Sequence, residues 1–146
     1  MPDERPYLDT SALAKWYIHE PGSEAFVDFI RCHSPAVISR LGALELRCLL
    51  ARRRRTGALS LAYEQKAFAT FEEDVLRGDL HIQPLADVHV LTALRLVEQS
   101  VQHPLRALDA LHLAVARSLA VQVVATADRQ LASAAEELGF EVAVFG

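Results

Sequence analysis

Four acidic residues stand where a small soluble domain normally carries neutral side chains. Asp9 ends a short apolar stretch, and Glu45 interrupts an apolar helical stretch. Asp109 interrupts a second such stretch, and Asp128 follows a valine-rich run. A carboxylate in such surroundings needs a partner. Mg²⁺ and Mn²⁺ take oxygen ligands, and phosphoryl-transfer sites hold them with a few carboxylates, water and substrate phosphate. The four acids therefore indicate metal-dependent chemistry at a phosphate, with one ion or two.

Asp9 and Asp128 each lie between a predicted strand and a predicted helix. A strand at Tyr7–Leu8 ends at Asp9, and a strand at Val121–Ala125 is followed by Asp128 and a helix from Arg129. The carboxyl ends of parallel strands share one edge of a sheet, which would bring the two acids together. Structural roles are also open, because Asp9 could form a turn and Asp128 could cap its helix.

Glu45 and Asp109 lie within predicted helices. Apolar residues three and four positions away place Glu45 on the apolar stripe of its helix. Asp109 lies in residues 105–116, which are apolar almost all round, and Pro104 suits the first turn of that helix. An ordinary buried ion pair with an arginine could explain either acid. Structural roles for all four acids at once are much less expected.

Predicted strands and helices alternate along the chain. The strands are Tyr7–Leu8, Ala36–Ser39, His81–Pro84, Val121–Ala125 and Glu141–Val144. The helices are Ser11–Tyr17, Ser23–Arg31, Leu41–Thr56, Leu61–Leu76, Val88–Gln99, Leu105–Leu119 and Arg129–Leu138. This alternation favours a parallel sheet covered by helices on both faces.

The composition agrees with a small soluble enzyme. The 146 residues are 51% hydrophobic with a net charge of −4, and no linker or repeat divides them, so residues 1–146 are expected to form one domain. Apolar stretches fall far short of the ~18 residues of a membrane span, and the charged N-terminus is unlike a signal peptide. We therefore expect a cytoplasmic protein with no membrane partner.

The cysteines and histidines add little chemistry of their own. Cys32 and Cys48 lack the spacing of a zinc or redox motif and are expected to be small buried apolar residues. His112, three residues after Asp109, is the only histidine expected to approach the acids. A buried histidine with satisfied hydrogen bonds is the commoner arrangement.

A basic cluster ends the helix that carries Glu45. It consists of Arg52, Arg53, Arg54 and Arg55. Cations are favourable at a helix C-terminus, so a solvated helix end is the simplest interpretation. The functional alternatives are phosphate contacts along an RNA path and docking of an acidic partner segment. The net charge of −4 argues against a broad nucleic-acid surface.

The sequence around the acids resembles the acidic blocks of PIN-domain nucleases. These blocks are residues 7–13, Glu45 in its leucine-rich helix, residues 108–114 (Leu-Asp-Ala-Leu-His-Leu-Ala) and residues 126–128 (Thr-Ala-Asp) followed by Leu131. The resemblance runs from residue 7 to about residue 144. Within that family, the sequence is most similar to the VapC-type toxins of bacterial toxin–antitoxin pairs.

The resemblance implies a three-layer α/β/α PIN-like fold with a five-stranded parallel sheet. It also implies Mg²⁺- or Mn²⁺-dependent endoribonuclease activity, inhibition by a cognate antitoxin protein, and a homodimer. Carried over to this chain, the catalytic metal-site acids are Asp9, Glu45, Asp109 and Asp128, with Asp9 and Asp109 favoured as direct ligands. Ser11 and Thr126 match the hydroxyl positions that support them.

Two other functions stay open from the residues alone. One is a catalytically silent binding module on the same fold. The other is an aspartyl-phosphate phosphatase or receiver domain, since Asp9 also ends a first strand. Ser11 stands where such a phosphatase would carry its second acid, and no lysine follows the late strand. The favoured mechanism is in-line attack on an RNA phosphodiester by a water that the metal activates.

Overall fold

Five short parallel strands form the centre of the computed structural model, which describes residues 3–146. They are β1 (Tyr7–Leu8), β2 (Ala36–Ser39), β3 (Leu80–Gln83), β4 (Val123–Thr126) and β5 (Glu141–Val144). Their order across the sheet is β3-β2-β1-β4-β5, and each neighbouring pair is parallel. The chain runs outward from β1 to β3 and then restarts beside β1 with β4. The crevice between the ends of β1 and β4 is therefore the switch point at which such sheets bind ligands.

Seven helices accompany these strands in the described part of the chain. They are α1 (Thr10–Tyr17), α2 (Ser23–His33), α3 (Arg40–Arg55), α4 (Leu61–Arg77), α5 (Asp87–Gln99), α6 (Ala107–Ser118) and α7 (Arg129–Glu137). Each predicted element is present, with no shift or a shift of at most two residues at either end. Helix α6 starts later than predicted, with Arg106 as its N-cap. Pro104 therefore precedes this helix, and its placement in the first turn was wrong.

The alternating side chains of the strands create two cores. Successive residues of a strand point to opposite faces, so Leu8 and Ile38 pack among α1, α2, α3 and α4. Tyr7 and Val37 pack on the other face among α5, α6 and α7. All four side chains are fully buried. The predicted three-layer α/β/α fold with a five-stranded parallel sheet is confirmed.

Both cysteines are exposed, and their predicted burial was wrong. Helix α2 buries Phe26 and Ile30 and leaves Cys32 near its solvent-facing end. Helix α3 buries Leu46 and Leu50, whereas Cys48 lines a surface cleft. A small apolar side chain loses little by exposure, so these two residues could not fix the rotation of either helix.

None of the helices within residues 3–146 combines the length and the apolar character that a membrane crossing requires.

Candidate active site

The four predicted acids line a single cleft of about 840 Å³ at the carboxyl edge of the sheet. Asp9 follows β1, and Asp128 follows β4. Glu45 comes from α3, and Asp109 from the first turn of α6. The structure thus brings together residues separated by up to 119 positions in sequence (128 − 9). We refer to this cavity as the acidic cleft.

Asp9 is buried and serves as the N-cap of α1. Its Oδ1 accepts hydrogen bonds from the Ala12 amide at 2.9 Å and from the Ser11 hydroxyl at 2.8 Å. Its Oδ2 accepts one from the Thr126 hydroxyl at 2.5 Å. Burial raises the pKa of Asp9, and these hydrogen bonds oppose the rise only in part. Asp9 therefore has a structural capping role and also lines the cleft.

The two predicted supporting hydroxyls lie beside Asp9 and join the ends of β1 and β4. Ser11 Oγ accepts a hydrogen bond from the Ala127 amide at 2.8 Å, and Thr126 Oγ1 accepts one from the Asp128 amide at 2.9 Å. The two hydroxyl oxygens lie 3.2 Å apart. This network fixes the Asp9 carboxylate relative to the loop that carries Asp128.

Glu45 differs from the prediction, because its side chain is 28% exposed and its main partner is a histidine rather than an arginine. Its Oε1 accepts a hydrogen bond from Thr10 Oγ1 at 2.7 Å and one from His112 Nε2 at 2.6 Å. Burial raises the pKa of Glu45, but the hydrogen bonds from His112 and Thr10 outweigh burial and hold that pKa below its usual value. Glu45 is therefore ionised at neutral pH.

A single arginine bridges Asp109 and Asp128. Arg106 Nε lies 3.2 Å from Asp109 Oδ2, and Arg106 Nη2 lies 3.3 Å from Asp128 Oδ2. The arginine partner considered for Asp109 is thus present, but the Arg106 side chain is 73% exposed. The Asp109 side chain is 20% exposed, and an ion pair whose cation is so accessible to solvent contributes little to stability. The arginine can therefore leave without a large cost when another cation binds these carboxylates.

Asp128 also has the capping role that its position indicated. Its Oδ1 accepts hydrogen bonds from the amides of Gln130 at 2.9 Å and Leu131 at 3.3 Å, which lie in the first turn of α7. One carboxylate oxygen therefore caps a helix, while the other contacts Arg106 at the cleft. The structural and functional interpretations of Asp128 are compatible.

The donor set of the acidic cleft fits a hard divalent cation that is held only partly by protein. Within residues 3–146, no three or more histidine, cysteine or acidic side chains lie in an arrangement that could by itself hold a metal ion. Mg²⁺ commonly uses one or two carboxylates and completes its coordination with water and substrate phosphate. Glu45 Oε2 and Asp109 Oδ1 accept no hydrogen bond from the described residues. These oxygens are free to bind a cation or an ordered water.

Sequence reasoning missed Thr10 and Arg106, and it placed His112 near the acids without identifying its partner. Thr10 contacts Glu45, Arg106 bridges two acids, and His112 contacts Glu45 as well as approaching the site. The spacing of Arg106, three residues before Asp109 on one helix, was a usable signal. The contacts of Thr10 and His112 with Glu45 are long-range, so nothing local in the sequence indicates them.

The basic cluster at the end of α3 does not behave as one unit. Arg54 Nε lies 2.8 Å from Oε1 of Glu64, a residue that is only 1% exposed. Arg53 contacts Glu20 at 3.2 Å, so Arg53 and Arg54 both form ion pairs while their side chains stay partly exposed. Arg52 and Arg55 are exposed, and of the two only Arg52 lines the acidic cleft.

These differences predict unequal effects on stability. Arg54→Gln removes the closest cation from buried Glu64 and should lower the free energy of unfolding by about 2 kcal/mol, less than a fully buried pair would lose because Arg54 is partly exposed. Arg55→Gln removes a neighbouring charge at an exposed position and serves as the matched control. Urea denaturation of both variants provides the measurement. Equal stabilities for the two would show that the Arg54–Glu64 pair contributes nothing specific.

Comparison with known proteins places the chain in a family. The PIN domain model matches residues 7–137. Ribonuclease VapC46 of Mycobacterium tuberculosis is 33% identical over 142 residues, which cover 93% of this chain and 94% of that protein. The segment that matches the PIN model includes Asp9, Glu45, Asp109 and Asp128.

Solved structures share the fold. VapC20 of Mycobacterium tuberculosis, described as a sarcin-ricin loop cleaving toxin, has a TM-score of 0.70 at 18% identity and covers 92% of this chain and 95% of its own. A DNA-bound VapBC from Salmonella typhimurium has a TM-score of 0.69 at 16% identity, and the match covers 99% of this chain and 100% of that one. The structural likeness supports the fold, and the sequence matches extend over almost the whole chain. This chain therefore belongs to the PIN-domain family, and within it to the VapC ribonucleases.

Proposed function

We propose that the protein is a Mg²⁺- or Mn²⁺-dependent endoribonuclease and the toxin of a toxin–antitoxin pair. The observation that carries this proposal is the convergence of four carboxylates on one cleft at the switch point of the sheet. Relatedness to a ribonuclease at 33% identity supports RNA as the substrate class. In a silent binding module, helix capping would account for Asp9 and Asp128 but not for Glu45 and Asp109 in the same cleft.

Asp9 and Asp109 are the proposed direct ligands of the cation, and Glu45 and Asp128 complete the site. When bound, the cation supplies positive charge that polarises the phosphate and makes an attacking water more acidic. Asp9 is held rigidly by its capping bonds, so its carboxylate is preorganised. Asp109 exchanges its contact with exposed Arg106 for the cation.

Glu45 is the proposed residue for orienting the attacking water. It is ionised because its pKa is lowered, and its Oε2 has no hydrogen-bond donor among the described residues. A carboxylate in that state accepts a hydrogen bond from water and thereby orients it. No side-chain nucleophile is required for in-line attack on the phosphodiester.

Arginines at the rim of the acidic cleft provide contacts for RNA phosphates. Arg52 and Arg106 both line the cleft, and both are exposed. Arg52→Gln should weaken RNA binding and reduce the slope of log affinity against log salt by about one, whereas Arg55→Gln should change neither. Filter binding at several salt concentrations distinguishes them. An unchanged slope for Arg52→Gln would remove this residue from the RNA path.

The proposed protein partners are an antitoxin and a second copy of the chain. The structural neighbour from Salmonella typhimurium is a VapBC assembly, which supports an antitoxin partner for this chain as well. Helix α5 presents an exposed apolar face suited to a homodimer. Its members are Val88, Val90, Leu91, Leu94 and Val97. Light scattering of the purified protein at several concentrations tests the dimer.

The proposed activity is tested by cleavage of a structured RNA with purified protein. We expect cleavage in Mg²⁺ or Mn²⁺, arrest on addition of EDTA, and recovery when excess metal is restored. Cleavage that is insensitive to EDTA would contradict the metal requirement. Metal and RNA binding without any cleavage would favour the silent binding module.

A further inference from the structure

A buried chain of hydrogen bonds connects the sheet to Glu45. The hydroxyl of Tyr7 lies 2.7 Å from His112 Nδ1, and His112 Nε2 lies 2.6 Å from Glu45 Oε1. Tyr7 is fully buried, and His112 is 3% exposed. The two rings also pack edge to face, with centroids 5.8 Å apart and an interplanar angle of 63°. Both nitrogens of this imidazole therefore have defined partners.

The direction of the hydrogen bond between His112 and Glu45 follows from the chemistry of its acceptor. An ionised carboxylate only accepts hydrogen bonds, so His112 Nε2 must carry a hydrogen and donate it to Glu45. Thr10 donates to the same oxygen at 2.7 Å. Two donors on Oε1 fix the orientation of the carboxylate. The other oxygen, Oε2, remains without a hydrogen bond to the described residues.

The two hydrogen-bond partners of His112 are more specific than those required to satisfy a histidine in a protein core. A buried imidazole can satisfy its polar atoms with backbone carbonyls or other structural groups. Here, one nitrogen contacts a tyrosine anchored in the central strand, and the other contacts an acid of the cleft wall. His112 comes from α6 and Glu45 from α3, so the contact also connects helices on opposite faces of the sheet.

We propose that Tyr7 and His112 are positioning residues that hold Glu45 Oε1 and thereby present Oε2 to the acidic cleft. This inference rests on the proposed function, because orientation of Glu45 affects catalysis only if the cleft is catalytic. Residues that orient a metal-site ligand typically change metal affinity or activity by about 10–100-fold when removed. Tyr7 acts through His112, and His112 acts through Glu45.

Three variants separate positioning from packing. His112→Leu fills similar space without a donor, whereas His112→Gln can place its amide nitrogen near the position of Nε2. Tyr7→Phe keeps the buried ring and removes only the hydroxyl. We expect His112→Leu to lower kcat for RNA cleavage by about 10–100-fold with little change in KM, and to weaken Mn²⁺ binding measured by calorimetry. His112→Gln should recover much of both losses, and Tyr7→Phe should cause a smaller loss of the same kind.

The decisive comparison uses a Glu45→Gln background. If His112 acts through Glu45, adding His112→Leu to Glu45→Gln should cause no further loss of kcat or Mn²⁺ affinity. Losses that multiply in the double variant would overturn the proposal. A His112→Gln variant as impaired as His112→Leu would also overturn it, since the donor rather than the ring is the proposed requirement. If His112→Leu fails to fold, Tyr7→Phe and His112→Gln decide the question by the same measurements.

Measurements on the wild-type protein in the same assays distinguish failure of the proposed function from failure of the positioning role. Wild type that neither binds Mn²⁺ nor cleaves RNA would remove the proposed function, and the positioning role with it. Wild type that does both, alongside a folded His112→Leu variant with equal kcat and equal Mn²⁺ affinity, would remove only the positioning role.

Discussion

Asp9→Asn is expected to lower the rate of RNA cleavage by at least about 10²-fold, because it removes a charged direct ligand of the cation. The substitution keeps the shape of the side chain and an oxygen that can cap α1, so the fold should persist. Asp28→Asn is a matched control, since that acid lies on α2 with a side chain that is 77% exposed. Initial rates with a structured RNA in Mg²⁺ provide the measurement.

Stability measurements separate this loss from unfolding. Burial raises the pKa of Asp9 in the folded state. A group of this kind stabilises the fold below its unfolded pKa, and the contribution is lost as pH rises through the folded pKa. Above that folded pKa, the charged carboxylate of Asp9 is therefore less favourable for stability than a neutral side chain when no metal is bound. Asp9→Asn should melt no lower than wild type in EDTA, and an inactive variant that melts far lower would indicate a structural defect instead.

Asp109→Asn is expected to remove most of the thermal stabilisation that Mg²⁺ gives to the wild type. A ligand at 100 times its Kd stabilises the folded state by about 2.7 kcal/mol, which corresponds to roughly 5–10 °C for a chain of this size. Asparagine keeps the volume and removes the charge that attracts the cation. Thermal melts with and without Mg²⁺ measure the difference.

The metal-free melt of Asp109→Asn tests the alternative role of this acid. Arg106 is 73% exposed and its pair with Asp109 is therefore screened by solvent, so the loss of this pair should cost less than about 1 kcal/mol. A variant that melts well below wild type in EDTA would show that Asp109 is a structural ion-pair partner. A variant that keeps the full Mg²⁺ response would exclude Asp109 as a ligand.

The fold was largely predictable because its signals are local. Short apolar runs alternate with segments of helical periodicity, and this pattern leads to a parallel sheet with covered faces. The same reasoning placed Asp9 and Asp128 at one edge, because each directly follows a strand. The residues at which the helices begin and end were less predictable than the presence of the helices. Arg106 occupies the N-cap position of α6 without a capping bond from its side chain, so no sequence rule singles it out.

The surroundings of Glu45 were not predictable, for a physical reason. Apolar side chains form part of the wall of the acidic cleft, including Leu41, Leu44 and Leu49. Hydrophobic periodicity therefore does not distinguish the side of α3 that faces the core from the side that faces the cleft. The partner of Glu45 was hidden as well, since His112 lies 67 residues away in sequence.

The contacts of the arginine cluster were also not predictable from the sequence. Consecutive basic residues at a helix end look equivalent in sequence, yet Arg54 contacts buried Glu64 while Arg55 is exposed. The difference arises from the packing of α4 against α3 and cannot be read from either helix alone. Long-range pairs of this kind decide which charges are structural and which are free to bind RNA.

The most direct test of metal-dependent ribonuclease activity at the acidic cleft measures Mn²⁺ binding and RNA cleavage in the same samples. Metal-stripped wild type is titrated with Mn²⁺ in a calorimeter, and the cleavage rate is determined at each point of the titration. We predict that the rate rises from background in proportion to the fraction of protein with bound Mn²⁺, and that Asp9→Asn shows neither tight binding nor cleavage. Full-rate cleavage by wild type without bound metal would contradict the proposal that RNA cleavage requires a bound cation.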